Sequence, residues 1–239
     1  MGYGDIQSAY SNFRKSEETV QNLYNYIHGN LKTLDNIKDK ELYDSLINVL
    51  TELENKKNLC EGFAFFNKGQ LDILSRYHDE SIISFRHAKD SFEKLFKFNQ
   101  NLFAKCLSDI SYAFEIGSDG YENMFRISYS NAKMAFQRAK IELENVLQEA
   151  NSSDIDKDEY QTITSMIWPS LKNFESLYLF SDSQDQFNKG NYPIALEKLT
   201  KLCDIYSNES NNLEGLPGLN NFYMGEYNKY CGLKYLTEG

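Results

Sequence analysis

Asp154, Asp156 and Asp158 alternate through a polar stretch, the spacing with which a calcium loop sets successive oxygen ligands around its ion. The pattern then breaks, because Glu159 stands where such a loop needs glycine and Ser165 where it needs a bidentate glutamate. Acidic residues ahead of a helix have a simpler role, accepting from open backbone N–H groups and meeting the positive end of the helix dipole. His28, His78 and His87 are the only histidines, and none has a Cys, Asp or Glu at metal-ligand spacing, so they read as solvated helix-end residues. Cys60, Cys106, Cys203 and Cys231 lie far apart among apolar helical neighbours, which reads as four small buried thiols and not as a disulfide framework. There is no phosphate-cradling glycine loop, no serine between elbow glycines and no local carboxylate pair. The residues nominate no catalytic, metal or cofactor site, and the expectation is a protein that is not an enzyme.

The elements that carry these residues are helices. Only three prolines occur in 239 residues and the thirteen glycines are scattered, so turns are few and periodic segments long, which predicts an all-α fold. A formal charge of −10 repels a phosphate backbone, and the basic residues stand singly; nucleic acid is excluded as a partner on that ground. The N-terminus shows no apolar signal core, no stretch reaches the ~18 apolar residues of a membrane span, and Ile6 occupies the place where a myristoylation pattern needs Ser or Thr. These features predict a soluble, cytoplasmic protein that engages no membrane.

Ile6, Phe13, Val20, Ile27 and Leu34 recur every seven residues, with Tyr10, Tyr24 and Leu31 as a second seam and Glu17 interrupting it. That spacing makes a long amphipathic helix. After the polar DNIKDK, a second stripe runs through Leu42, Leu46, Val49, Leu53, Cys60 and Phe63, with Lys56 as the exception. Two stripes joined by a few polar residues fold back as an antiparallel pair. Pairing of this seam with a second copy, giving a homodimer, is the less favoured alternative.

Further along, a small residue is followed four positions later by a bulky one and three later by a third apolar or small one. The sets are Ser81, Phe85 and Ala88; Ala132, Phe136 and Ala139; and Ala195, Leu199 and Leu202. Phe65 and Gly69 precede the first set. Gly190 ends a helix before the third, Asn191 is placed to cap the next, and Pro193 sits in its first turn. Over roughly residues 54 to 208 the chain thus resembles the tetratricopeptide repeat family in three degenerate units. The anchors Ser81, Ala132 and Ala195 are 51 and 63 residues apart, against about 34 in the family, and Asp182 and Ser183 stand where the pattern has Leu and Gly. The resemblance implies antiparallel helical hairpins in a right-handed stack, within a single all-α domain spanning 1–239. Its parts are an N-terminal hairpin (1–53), the repeat-like units (54–208) and a capping helix (218–236).

Other boundaries are read from punctuation. GSDG at Gly117 to Gly120 interrupts the helical pattern, Tyr121 to Ala150 reads as one helix, residues 151–158 are the linker, and Trp168-Pro169 starts or kinks the helix that follows.

In the resembled family the first helices of the units line a concave groove that holds a peptide or helix of a partner. Counting back equally from Ser81 and Ala195 pairs Phe63 with Leu177, Phe66 with Phe180, Gln70 with Gln184 and Ile73 with Phe187. The resemblance implies an apolar groove with two amides, and hence a non-enzymatic interaction module or adaptor for a protein or peptide partner. The family's carboxylate clamp is not expected, since Phe66 and Gln70 occupy the places of its Lys and Asn. The alternative function is a structural subunit that self-assembles through the N-terminal seam or the C-terminal aromatic helix. The alternative for the eight residues is that their aromatics are core, as helical aromatic stripes usually are.

Overall fold

The computed structural model describes residues 3–31, 40–212, 228, 231 and 232. Among them the chain is all-α, with seven helices and no strand. These are α1 (Tyr3–Leu31), α2 (Lys40–Leu74), α3 (His78–Asn99), α4 (Leu102–Phe125), α5 (Tyr129–Ser152), α6 (Lys157–Asn188) and α7 (Tyr192–Asn212). None of these helices is long and apolar enough to cross a membrane. Leu34 and nearly all of the expected capping helix at 218–236 lie outside the described residues.

Two helix starts show side-chain capping. Asn101 Oδ1 accepts from the Ala104 N–H at 3.1 Å ahead of α4, and Asp156 Oδ1 accepts from the Asp158 N–H at 2.8 Å ahead of α6. Asp156, one of the alternating aspartates, is therefore a cap. Asn191 instead turns its side-chain amide back to Gln186 Oε1, 2.8 Å away.

One turn recurs three times. The residues Arg76, Ile127 and Gly190, at φ of 64°, 60° and 77°, each close a Schellman motif. Tyr77, Ser128 and Asn191 donate their N–H to the carbonyls of Asp72, Asn123 and Gln186 at 2.8, 2.8 and 2.9 Å. The left-handed residues themselves donate to Ile73, Met124 and Phe187 at 3.0 Å each. Each of these three residues lies five positions before one of the anchors Ser81, Ala132 and Ala195, so the 51- and 63-residue spacings of the anchors are also those of the three turns; Gln100, left-handed at the end of α3, precedes no anchor. All three anchors are buried.

Two expected boundaries differ. Gly117 to Gly120 lie inside α4, where a bare glycine makes room for a ring: a Cβ on Gly120 would meet Phe136 at 2.7 Å. The break comes instead at Arg126-Ile127-Ser128, inside the stretch expected to be one helix. No Gly or Pro marks it, because Ile127 itself takes the left-handed conformation that usually calls for Gly. Pro169 likewise lies within α6.

The chain forms two compact units, Met1–Ser118 with Glu142–Ile167, and Asp119–Ile141 with Trp168–Gly239. Two of the divisions fall at the sequence's own punctuation: one inside Gly117–Gly120, the other just before Trp168-Pro169. The expected linker at 151–158 lies inside the first unit.

In the first unit α2 packs on both α1 and α3. Phe63 stacks on Phe13 with ring centroids 5.1 Å apart and meets Phe92 edge-on at 5.3 Å. Ile6 and Leu53 of the expected stripes are buried, and Phe13, Val20 and Ile27 are half-buried. Leu42 and Val49 are exposed, Leu46 is half-buried and Leu50 is buried, so the α2 seam runs through Leu46, Leu50 and Leu53. In the second unit Phe136 lies edge-on to Tyr121 at 5.3 Å and beside Phe174 at 6.2 Å. Leu179, Leu199, Leu202, Cys203 and Tyr206 form a buried cluster between α6 and α7. Each fully buried Phe or Leu contributes about 1.5–3 kcal/mol of transfer free energy.

Candidate functional site

The eight residues expected to line a groove divide between the two units. In the first, Phe66 is 4% exposed and packs edge-on against Phe85 at 5.3 Å and Phe114 at 5.0 Å. It belongs to an aromatic core, because its position on α2 faces the glycine-relieved contact where Phe85 crosses Gly69. Phe63 is half-buried between Phe13 and Phe92, and Gln70 and Ile73 are half-buried near the end of α2.

In the second unit Leu177, Phe180, Gln184 and Phe187 sit at i, i+3, i+7 and i+10 on α6, the spacing of one continuous stripe. The first three are half-buried. Phe180 meets Tyr129 edge-on at 6.3 Å. Phe187 is 44% exposed and lies edge-on to Tyr192 of α7 at 5.2 Å; Tyr192 and Ile194 are exposed as well. The stripe thus begins beside the core and ends in an open aromatic pair at the Gly190 turn.

Beside that stripe lies a charged network that sequence reading missed. Asp182 and Asp185, both buried on α6, share the Lys133 ammonium of α5, which donates to Asp182 Oδ1 at 3.0 Å and to Asp185 Oδ2 at 2.6 Å. Lys198 of α7 reaches Asp182 Oδ2 at 3.4 Å, and Lys189 donates to Asp185 Oδ2 at 2.8 Å. Burial pushes both carboxyls upward, but hydrogen bonds and charge from the lysines outweigh it and hold both below the ordinary carboxylate range. The same hydrogen bonds, led by that from Asp185, raise the Lys133 ammonium above its usual value against the opposing effect of burial. Two carboxylates fixed in the ionised state by three ammoniums tie α5, α6 and α7 together.

The network accounts for Asp182 at the position where the repeat pattern has Leu. Ser183 stands twelve residues before its anchor, as Gly69 and Gly120 do before theirs; it is fully buried and donates its hydroxyl to the Phe180 carbonyl at 2.8 Å. The available signal was the pair of aspartates three apart, matched by lysines one and three residues after the anchors Ala132 and Ala195.

Among the described residues no group of His, Cys, Asp and Glu is placed to hold a metal ion. Asn173 donates to the Tyr121 hydroxyl at 2.8 Å, and burial pushes that phenol up to about 12. Cys203 and Cys231, expected as separate thiols, are paired, with Cα atoms 5.8 Å apart. No family model, no curated protein and no solved structure matches the chain.

Proposed function

We propose that the protein is a non-enzymatic interaction module of tetratricopeptide-like architecture that binds a peptide or helix of another protein through the α6 face. One observation carries the reading: the stripe Leu177–Phe180–Gln184–Phe187 ends in an exposed aromatic pair, Phe187 with Tyr192. Aromatic rings left open beside a rigid, charge-locked support are what a partner's apolar anchor buries, and aromatics dominate the energetic centres of protein interfaces. Gln184 adds an amide that can pair with a partner's backbone. Three equivalent turns in register with three buried small anchors support the repeat-like arrangement.

A photoreactive amino acid at position 184, used in cells of the source, tests this reading. The expected result is a discrete cross-link to one other protein, lost in Phe187→Ser while thermal unfolding is unchanged. Cross-links to a second copy alone would favour the alternative, a self-assembling subunit. That second reading rests on the N-terminal helices, where Leu23, Tyr26, Leu42, Tyr43, Ile47 and Val49 are exposed.

A further inference from the structure

The second unit brings two cysteines together at the edge of its core. Cys203 on α7 is buried in the cluster of Leu179, Leu199, Leu202 and Tyr206, and Cys231 packs against the same cluster from outside it. Their Cα atoms are 5.8 Å apart, within the range that a disulfide spans without backbone movement. The two positions are 28 residues apart in sequence, so only folding brings them together.

We propose that Cys203 and Cys231 form a reversible dithiol–disulfide pair that ties residue 231 to α7 under oxidising conditions. Cys231, half-buried where Cys203 is buried, is the accessible member and reacts first. Its thiol loses a proton to solvent, and the thiolate attacks one sulfur of a low-molecular-weight disulfide such as glutathione disulfide. One glutathione thiolate leaves and a mixed disulfide remains. The Cys203 thiol then loses its proton, its thiolate attacks the Cys231 sulfur, and the second glutathione thiolate leaves. Two protein thiols are thereby oxidised to one disulfide while glutathione disulfide is reduced to two glutathione molecules. Excess glutathione reverses both steps.

The remaining cysteines are poor competitors. Cys106 is buried in the first unit, and burial, with neighbouring carboxylates, pushes its thiol up to about 12. The Cys60 thiol is raised by burial and by Glu17. A thiol kept protonated does not enter exchange.

The test equilibrates the full chain in glutathione buffers from reducing to oxidising, folded and in urea, traps free thiols by alkylation and maps peptides by mass spectrometry. The folded chain should give a Cys203–Cys231 cross-linked peptide that reopens in reducing buffer, with Cys60 and Cys106 alkylated throughout. Its equilibrium constant for oxidation should exceed that in urea by at least about tenfold, since folding raises the effective concentration of one thiol at the other. Cys231→Ser, altering a half-buried position, should abolish the cross-link and leave Cys203 as a thiol. Equal constants in folded and unfolded chains, thiols persisting in oxidising buffer, a bond that never reopens, or preferential linkage to Cys60 or Cys106 would each overturn the proposal.

Discussion

Phe136 lies across Gly120 so closely that a Cβ on that glycine would stand 2.7 Å from the ring. Gly62 and Gly69 hold the same relation to Phe92 and Phe85, at 2.4 and 2.7 Å. All three glycines are helical, where the usual effect of Gly→Ala is a gain of up to about 1 kcal/mol. Here overpacking outweighs it. Gly120→Ala is expected to cost about 1–3 kcal/mol in urea unfolding, whereas Gly29→Ala, with nothing within 4 Å, should be neutral or stabilising. Equal effects at the two sites would remove the close contact.

Ala132 is fully buried as the small anchor of its unit. Ala132→Leu is expected to cost about 1–3 kcal/mol by the same crowding. A loss below about 0.5 kcal/mol, the range of ordinary surface changes, would contradict its anchoring role.

Ile127 holds φ at 60° while its side chain is 69% exposed, so the turn carries a β-branched residue's strain with little packing in return. Ile127→Gly should stabilise the chain by about 1 kcal/mol, and Gly190→Ala, at φ 77°, should destabilise it by a similar amount. Thermal unfolding of the two variants checks both signs.

The buried small positions were legible in the sequence because a small residue with large neighbours at helical offsets marks a close helix contact: Ser81, Ala132 and Ala195 are buried, as are Phe85, Phe136 and Leu199. The turn at Ile127 was not legible, since nothing in a single sequence says that isoleucine will take a glycine's conformation. Gly117–Gly120 and Trp168-Pro169 were visible as punctuation, yet they mark divisions between packed units within continuous helices. At the candidate site the α6 stripe comes from counting back from Ala195 as from Ser81, a register that the resemblance implies. For Phe66 the sequence leaves groove and core both open, and the partner rings Phe85 and Phe114, arriving from α3 and α4, decide for core. The Lys133–Asp182–Asp185 network was hidden because Lys133 lies 49 and 52 positions before the two aspartates it joins.

That network fixes a pH dependence. The Asp182 and Asp185 carboxyls lie below their ordinary values, so their stabilisation is fully present above an unfolded pKa of about 3.9 and is lost as pH falls through the lowered folded values. The Lys133 ammonium lies above its ordinary value; its share is complete below about pH 10 and is lost as pH rises through the raised value. Asp182→Ala should cost about 2–3 kcal/mol at neutral pH, less than for a wholly enclosed pair because the lysines keep some water. The difference between wild type and variant should be flat from about pH 5 to 9 and shrink in acid. A pH-independent difference would show that Asp182 is not held as a carboxylate.

The most direct test of the proposed function is the affinity of the cross-linked partner for three forms of the chain, measured by calorimetry beside their thermal unfolding. The account predicts that Phe187→Ser weakens binding at least tenfold, about 1.4 kcal/mol, without lowering the unfolding temperature, and that Ile83→Ser, at an exposed position on α3 in the first unit, changes neither. Unchanged affinity in Phe187→Ser, or a loss that only accompanies unfolding, would contradict it.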